Sequence, residues 1–442
     1  MAPAAGIVIA APASRSGKTV ITLGLIRALV RQGVRVAPLK AGPDYIDPAF
    51  LAAAAGRPCR NLDLWAMRPE TAARIVADAG LEAELIVVEG VMGLFDGAAI
   101  EAGSTADLAA SQGWPVILVA DVRGQGASVA ALADGFRHHR RDVTVAGVIL
   151  NRVGSERHEA ILRRALGHVG MPVLGAVPAQ AALALPERHL GLVQAGERAD
   201  LDRFLDGAAD VMARHLDLGG VRDLARPARA GDASGAASDD DGIAPLGQRI
   251  AVARDTAFAF SYPAMLDGWR RAGAEMVFFS PLANEAPAAD ADAVFLPGGY
   301  PELHGGRLAA NAIFLGGLRA AAGRGAAIYG ECGGYMVLGR GLTDADGHDH
   351  ALAALLPLES SFAVRQLHLG YRQARLETAC ILGGRGQRFR GHEFHYATLI
   401  SEGEGQALFS CRDSADRELG LAGRRHGGVC GSFIHLIDRA AG

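Results

Sequence analysis

Short, continuous apolar segments alternate with longer amphipathic segments along the first half of this chain of 442 residues. Continuous apolar strands separated by helices are typical of a parallel sheet that is covered on both faces. The pattern therefore predicts an α/β fold. The predicted strands are Gly6–Ala10, Val34–Leu39, Leu85–Val88, Val116–Ala120, Val145–Leu150 and Val173–Val177.

The composition changes between Gly219 and Leu246, where the chain is rich in Ala, Gly, Arg and Asp and has little apolar periodicity. Such a composition is typical of a linker. The alternation of strands and helices restarts near Ile250, and strand patterns become more frequent from about Leu356. We therefore expect two α/β domains, at residues 1–218 and 248–442, joined by a linker at 219–247.

Charge and cysteine content exclude several classes of protein. Half of the residues are hydrophobic, the formal net charge is −4, and no basic stripe indicates nucleic acid as a partner. The five cysteines include no Cys-x-x-Cys spacing, which favours a reducing compartment over a disulfide framework or a zinc site. The N-terminal segment lacks the charged start of a signal peptide, and no apolar run is long enough to span a bilayer. We expect a cytoplasmic protein with no membrane partner.

A phosphate-binding loop follows the first predicted strand. The segment Ser14-Arg15-Ser16-Gly17-Lys18-Thr19 stands between that strand and a predicted helix at Val20–Gln32. In this context backbone amides and the helix N-terminus hold phosphate oxygens, the lysine neutralises them, and the Thr hydroxyl binds Mg²⁺. Pro12 replaces the first glycine of the usual pattern, and an ordinary strand–helix turn with a surface lysine is the alternative. The context favours a site for ATP and Mg²⁺.

Charged residues follow the neighbouring predicted strands, where ligands of open parallel sheets bind. The candidates are Lys40, Asp44, Asp47, Glu89 and Asp96. We expect Thr19, Asp47 and Glu89 to bind the metal, because Mg²⁺ prefers oxygen ligands. Capping of helices or turns is the alternative, above all for Asp47, because Pro48 follows it.

A cysteine stands on a predicted strand-to-helix turn in the second domain, within Gly330-Glu331-Cys332-Gly333-Gly334. Flanking glycines tolerate the backbone angles of such a turn, which presents the side chain and directs the following amides towards an oxyanion. Because only the thiolate attacks, Cys332 needs a base, and His435 at the end of the apolar run Gly431–His435 is the candidate. A buried structural cysteine is the alternative. The arrangement favours a nucleophile for acyl transfer.

The segment His392-Glu393-Phe394-His395 invites a metal interpretation, but its histidines lack the i, i+4 spacing of a zinc-protease helix. A structural role, or support of the cysteine site, is favoured over metal binding.

Together the two halves resemble the cobyrinic acid and hydrogenobyrinic acid a,c-diamide synthase family. The first half is similar to dethiobiotin synthetase, with a P-loop and a parallel sheet, and the second to the α/β domain of class I glutamine amidotransferases. The resemblance covers nearly the whole chain except the linker. Its most specific motifs are Lys40–Pro48, Glu89–Asp96, Pro297–Glu302, Gly330–Gly334 and Gly391–Tyr396.

The resemblance implies a ligase of cobalamin biosynthesis that uses ATP and glutamine to amidate the a and c carboxylates of a corrin ring. Cys332, activated by His435, attacks the side-chain amide of glutamine. Backbone amides near Gly299 and Gly333 form the oxyanion hole. The ammonia released then displaces phosphate from an acyl phosphate made in the first domain.

The resemblance also implies roles for residues of the first domain. ATP is bound by Ser14–Thr19 and by Asn151, which lies where relatives read the adenine edge. The acceptor is bound by Lys40, Asp44, Tyr45, Ile46 and Glu89. Glu89 and Asp96 orient the reacting carboxylate. A homodimer is expected of the family.

Several points stay open in the sequence. Standard class I amidotransferases carry a glutamate two residues after the histidine, but this chain has Ile437 there, so what orients His435 is open. The role of Arg15 is also open. The acceptor is hydrogenobyrinic acid or its cobalt-containing counterpart, with a nickel-sirohydrochlorin as an alternative. A P-loop ATPase with a degenerate amidotransferase domain is the alternative from a different class.

Overall fold

The computed structural model describes residues 4–99, 102–180, 183, 185, 187–188, 191–229 and 242–440. The chain forms two compact units, one of Met1–Trp65 with Ala72–Ala236, and one of Ala66–Thr71 with Ala237–Gly442. Among the described residues, no helix combines the length and the apolar character that a membrane span requires.

The first unit is built on one parallel sheet. Its strands are β1 (Ala5–Ala10), β2 (Val36–Ala41), β3 (Arg60–Leu62), β4 (Leu85–Glu89), β5 (Val116–Asp121), β6 (Val145–Val153) and β7 (Val173–Pro178), with the short pair β8 (Glu187–Arg188) and β9 (Gly191–Leu192) and a short β10 (Arg226–Pro227). The order is β3-β2-β4-β1-β5-β6-β7, all parallel, and β10 pairs antiparallel with β1. The predicted fold class is confirmed here.

Eight helices accompany these strands in the described part of the first half of the chain. They are α1 (Lys18–Arg31), α2 (Asp47–Ala55), α3 (Pro69–Glu82), α4 (Thr105–Gln112), α5 (Ser128–His139), α6 (Glu156–His168), α7 (Leu201–His215) and α8 (Leu218–Leu224). Strands β1, β4 and β5 are buried along almost their whole length, which explains why their sequences are continuously apolar.

The second unit combines a parallel half-sheet with antiparallel strands. Its strands are β11 (Arg249–Ala253), β12 (Glu275–Phe279), β13 (Ala293–Leu296), β14 (Ala327–Glu331), β15 (Gly341–Thr343), β16 (Asp349–Ala351), β17 (Leu358–Ser361), β18 (His368–Leu376), β19 (Arg388–His395), β20 (Thr398–Glu402), β21 (Gln406–Arg412), β22 (Glu418–His426), β23 (Val429–Ser432) and β24 (Ile434–Arg439). The large sheet has the order β12-β11-β13-β14-β23-β22-β21-β18-β19-β24, and β16-β15-β17-β20 form a smaller one.

The helices of the second unit follow its parallel strands. They are α9 (Pro263–Arg271), α10 (Gly305–Ala310), α11 (Ala312–Gly323) and α12 (Gly333–Leu338). Strands β12, β11, β13, β14 and β23 are mutually parallel, whereas the pairs from β23 to β24 are antiparallel. The strand-rich second part predicted from about Leu356 is therefore present.

The linker was predicted to begin at residue 219, but the structure has a helix there. Residues from Leu218 to Leu224 form α8, which is capped by the Asp217 carboxylate, and Val221 is fully buried. The following β10 is held by β1. Two glycines and two charged residues give this short segment the composition of a linker, although its apolar residues Leu218, Val221 and Leu224 recur at helical spacing. The central part of the predicted linker, 230–241, lies outside the described residues.

Candidate active sites

The phosphate loop joins β1 to α1, as its sequence predicts. Arg15 and Gly17 take positive φ angles of 65° and 84°, which turn the backbone sharply before the helix begins at Lys18. The Ser16 hydroxyl donates to the Ala13 carbonyl over 2.8 Å and tightens the turn. A tight loop at a helix N-terminus supplies backbone amides and a favourable dipole for phosphate.

The chain has only two lysines, Lys18 and Lys40, and both lie at this end of the sheet. Lys18 Nζ donates to the Met92 carbonyl over 3.0 Å, and burial together with the Lys40 charge lowers the pKa of Lys18 to about 8. Lys40 is buried, yet Asp47 and Glu89 hold its pKa above the ordinary value. The site therefore places two lysines, balanced by neighbouring carboxylates, where a polyphosphate would bind.

Glu89 ends β4 directly opposite Ile9 of β1 and Lys40 of β2. Its Oε1 accepts from Thr19 Oγ1 over 2.6 Å and from Lys40 Nζ over 3.0 Å. Within the described part of the chain, its buried Oε2 has no hydrogen-bond partner. An orphaned carboxylate oxygen next to a Thr hydroxyl is a donor set that fits Mg²⁺. Burial raises the pKa of Glu89, and a bound cation would favour the ionised form.

The alternative prediction was that Asp47 caps the helix, but in the structure Asp44 caps it and Asp47 forms a charge pair. Asp44 Oδ1 accepts from the backbone N–H of Ile46 and Asp47, over 2.8 and 2.9 Å, at the start of α2. Asp47 instead meets Lys40 Nζ at 2.5 Å. Burial and the Asp47 charge raise the pKa of Asp44 to about 7, whereas Lys40 outweighs burial at Asp47 and lowers its pKa. The cap is thus made by Asp44.

Tyr45 and Ile46 complete this corner of the site beside Asp44. Ile46 is buried and Tyr45 is half-buried at the entry to α2. Both belong to the segment for which the family resemblance implies acceptor binding.

Asp96 and Asn151 both support loops near the phosphate site. Asp96 is exposed, and its Oδ2 accepts from Gly93 N over 2.9 Å. Asn151 is buried, and its Nδ2 donates to the Ser16 carbonyl over 2.9 Å. That amide nitrogen, predicted to read adenine, is therefore engaged by the phosphate loop itself, because β6 runs up to the loop.

The cysteine of the second unit occupies a strained elbow. Strand β14 ends at Glu331, Cys332 takes φ 47° and ψ −105°, and α12 begins at Gly333. A non-glycine residue with this conformation is rare and is retained mainly where function requires it. Burial, and then the Glu302 charge, raise the pKa of the Cys332 thiol, so that it needs a base to react.

His435 lies beside this cysteine, although not at the end of a strand as the apolar run suggests. The run is broken at Phe433, and His435 is the second residue of β24, opposite His392 of β19. A β-carbon on Gly298 would lie 2.2 Å from His435 Cε1 and 3.2 Å from Cys332 Cβ. The two side chains thus border one small space next to a glycine. Burial, then the neighbouring His392, lower the pKa of His435 to about 3, which keeps the ring neutral but weakens it as a base.

The two glycines of the predicted oxyanion hole approach each other at the elbow. A β-carbon on Gly333 would lie 3.1 Å from the backbone nitrogen of Gly299. A β-carbon on Gly299 would lie 2.0 Å from the Ala257 carbonyl oxygen. A side chain at Gly299 or Gly333 would therefore collide with the neighbouring segment and push apart the two backbone segments that border Cys332.

Comparison with known proteins matches both units. Residues 7–193 match the model of the CobQ/CobB/MinD/ParA nucleotide binding domain, and residues 249–441 that of the CobB/CobQ-like glutamine amidotransferase domain. Hydrogenobyrinate a,c-diamide synthases of Brucella anthropi, Brucella abortus and Rhizobium meliloti are 55%, 56% and 55% identical to this chain. The matches cover 98% of this chain in each case, and 98%, 98% and 99% of the relatives. The chain belongs to the hydrogenobyrinate a,c-diamide synthase family.

In this member of the synthase family, the His392–His395 segment is held by its own neighbours. Glu393 binds Arg372 Nε over 2.6 Å and His395 Nε2 over 2.9 Å, and the His395 ring stacks on Phe433 at 3.9 Å. The potential ligand atoms of His368, Glu393 and His395 lie within 4.8 Å of one another, but the guanidinium on Glu393 already neutralises the carboxylate. These contacts support a structural role, which stays a prediction for this segment.

Two supporting residues of the synthase were not found by sequence reasoning. Asn61 of β3 is buried and donates to the carbonyls of Gly42 and Asp44 over 2.8 and 2.7 Å, which holds the segment between β2 and α2. Arg152 donates to the Arg15 carbonyl over 2.9 Å and fixes the phosphate loop from β6. The Arg15 side chain itself is exposed.

A compositional signal for the phosphate site was available. The chain has 44 basic residues but only two lysines, one at the end of the phosphate loop and one directly after a predicted strand, and this rarity marks both as candidates for a special role. The compact ammonium group of lysine binds phosphate and changes its pKa readily when buried, whereas the guanidinium of arginine stays charged.

Proposed function

We propose that this chain converts the a and c carboxylates of hydrogenobyrinate to amides, with ATP as the energy source and glutamine as the nitrogen donor. The observation that carries the proposal is the identity of 55–56% along 98% of the chain to synthases named for that reaction. Both chemistries of such a ligase have candidate residues, one set in each unit. The cobalt-free acceptor is favoured over cobyrinate because the relatives are named for it.

In the second unit, His435 would take the thiol proton of Cys332 while the sulfur attacks the carboxamide carbon of glutamine. The backbone amides of Gly299 and Gly333 would stabilise the oxyanion. Collapse of the tetrahedral intermediate, with the proton returned to nitrogen, releases ammonia and leaves a glutamyl thioester. Water then hydrolyses the thioester to glutamate.

In the first unit, Lys18 and the loop of Ser14, Arg15, Ser16 and Gly17 would hold the phosphates of ATP, with Asn151 supporting the loop. Mg²⁺, bound through Thr19, Glu89 and Asp47, would neutralise phosphate charge and align the γ-phosphate. The acceptor carboxylate attacks that phosphate, and ADP leaves. Ammonia then displaces phosphate from the acyl phosphate, so that two amides require two ATP and two glutamines.

Further acceptor contacts are assigned to Lys40, Asp44, Tyr45, Ile46 and Asp96. The support for this assignment is their position at the carboxyl ends of β2 and β4, next to the phosphate loop. A cytoplasmic location is part of the proposal and is supported by five free cysteines. A homodimer is proposed from the family alone.

Mass spectrometry of the products tests the acceptor. The enzyme is incubated with Mg-ATP, glutamine and hydrogenobyrinate, cobyrinate or nickel-sirohydrochlorin. We expect hydrogenobyrinate alone to gain two amide groups. Amidation of cobyrinate instead would change the acceptor, and glutaminase activity without amidation of any of the three would overturn the corrin assignment.

A further inference from the structure

The position that carries the acid of standard class I amidotransferases cannot orient His435 in this chain. Two residues after His435 stands Ile437, which is apolar and buried. A neutral imidazole needs a partner on one nitrogen to fix which nitrogen carries the proton. The backbone of Phe260 hydrogen-bonds the ring, and a carboxyl that replaces the missing acid must come from another element of the second unit.

Glu331 is a buried carboxyl that meets this requirement. It ends β14, directly precedes Cys332, and is 1% exposed. Its Oε1 accepts from Tyr329 Oη and from Leu436 N, each over 3.0 Å. Because Leu436 follows His435, the carboxyl is attached to the backbone of the strand that carries the histidine.

The second oxygen of Glu331 faces the histidine ring. Glu331 Oε2 lies 3.8 Å from His435 Nδ1. The other edge of the ring, Cε1 and Nε2, borders the position next to Gly298 that Cys332 Cβ also borders. The ring therefore lies between a carboxyl on its Nδ1 side and the nucleophile on its Nε2 side.

We propose that Glu331 is the positioning residue of the amidotransferase centre, and that it holds His435 through Nδ1 so that Nε2 accepts the proton of Cys332. This inference deepens the proposed function and rests on it. At 3.8 Å the two atoms are beyond hydrogen-bond distance, and the proposal requires them to approach when glutamine binds. Catalytic hydrogen bonds are often long in ligand-free enzymes and shorten when substrate binds.

The protonation state of Glu331 then controls the tautomer of His435. When Glu331 is ionised, it accepts Nδ1–H and leaves the lone pair of Nε2 for the thiol proton. When it is protonated, its O–H donates to Nδ1, which forces the proton onto Nε2 and blocks the base. As the thiol proton moves to Nε2, the imidazolium charge forms beside the Glu331 carboxylate.

The surroundings of Glu331 set the pH at which its carboxyl ionises. Burial raises the pKa of Glu331 to about 8, although Leu436 N–H and Tyr329 oppose the shift. Besides Glu331, the groups that act on the ring are His392, His395 and Glu393 of β19, and a hydrogen bond with the backbone of Phe260 favours the charged ring. Tyr329 does not ionise here because burial and Glu331 raise its pKa further. Glutaminase activity should therefore rise with pH through about 8.

Glutaminase kinetics of the full chain test the inference with Glu331→Gln, which preserves size but presents an N–H to Nδ1. We expect kcat for glutamine to fall on the order of 10²–10⁴-fold with KM nearly unchanged, and the rise near pH 8 to disappear. Tyr329→Phe retains the carboxyl and should lose only a few-fold. Amidation with ammonium salts should be unaffected by either change.

Histidine NMR on the same proteins reports the tautomer without relying on turnover. With ¹⁵N-labelled histidine, and His435→Gln to assign the signal, we expect protonation of Nδ1 in the wild type above pH 8 and of Nε2 in Glu331→Gln. A kcat within threefold of wild type with the same pH profile, the same tautomer in both proteins, or equal loss of ammonia-dependent amidation would overturn the inference. Glutaminase readouts do not involve a corrin, so a wrong acceptor would leave this test intact.

Discussion

Lys40 Nζ lies 3.0 Å from Glu89 Oε1, and the two side chains are only 2% and 0% exposed. The pair is formed by direct opposition of β2 and β4. Asp47 approaches the same ammonium, so that one cation compensates several buried carboxyls. This cluster makes the first unit sensitive to loss of a single charge.

Lys40→Met should destabilise the protein by about 3–5 kcal/mol, because it leaves buried carboxylates without their counterion. Urea unfolding measures the change, and Mg²⁺ should restore more stability to the variant than to the wild type. Arg123→Met, which removes an exposed partner of Asp121, is the control and should leave the midpoint unchanged. Equal midpoints for Lys40→Met and wild type would contradict the role of Lys40.

Lys18 should titrate near pH 8 in the nucleotide-free protein, because burial and Lys40 disfavour its charged form. Below that pH the side chain is charged and binds phosphate, and above it the charge is lost. With ¹³C-labelled lysine only two NMR signals are present, and one should shift near pH 8 while the other stays constant. The dissociation constant for ATP should be about tenfold weaker at pH 9 than at the plateau below pH 7.

Lys18→Ala assigns the titrating signal and should abolish amidation with both glutamine and ammonia, because acyl phosphate formation precedes both. Two signals that stay flat from pH 6 to 10 would show that Lys18 is not perturbed. Retained synthesis in the variant would refute the phosphate-loop assignment.

Cys332→Ala should abolish glutamine-dependent amidation and leave amidation by ammonium salts intact, since the thiol serves only to release ammonia. Product analysis with each nitrogen donor separates the two outcomes. The buried Cys411 offers a matched control, and Cys411→Ala should keep both activities. Equal loss with both donors in Cys332→Ala would contradict the division of labour between the units.

Gly298→Ala should lower glutaminase activity at least 100-fold, an order of magnitude typical of displaced catalytic groups. The added β-carbon would lie 2.2 Å from His435 Cε1, so the ring must move. Gly316→Ala in α11 meets no atom within 4 Å and should be neutral or slightly stabilising. Thermal melting checks that both variants fold, and normal glutaminase kinetics in Gly298→Ala would place the histidine elsewhere.

Local signals in the sequence were sufficient for much of this protein. Continuous apolar segments predicted the parallel sheet of the first unit, because a strand buried on both faces needs no polar residue. The loop before Lys18 and the elbow at Cys332 were also predictable, since each requires only a strand, a tight turn and a helix in succession. The predicted linker started too early because α8 is only seven residues long, and its three apolar residues at helical spacing stand beside two glycines and before a long polar, Ala- and Gly-rich segment.

By itself, then, the sequence determined the α/β class, the phosphate loop, the nucleophile elbow and the identity of the family. Only the tertiary structure decided which groups meet. Lys40 opposes Glu89, Asn151 reaches the phosphate loop, and Glu331 faces His435 through a strand that is distant in the sequence. These relationships depend on strand order and register, which arise from the packing of the whole sheet and leave no local pattern of residues.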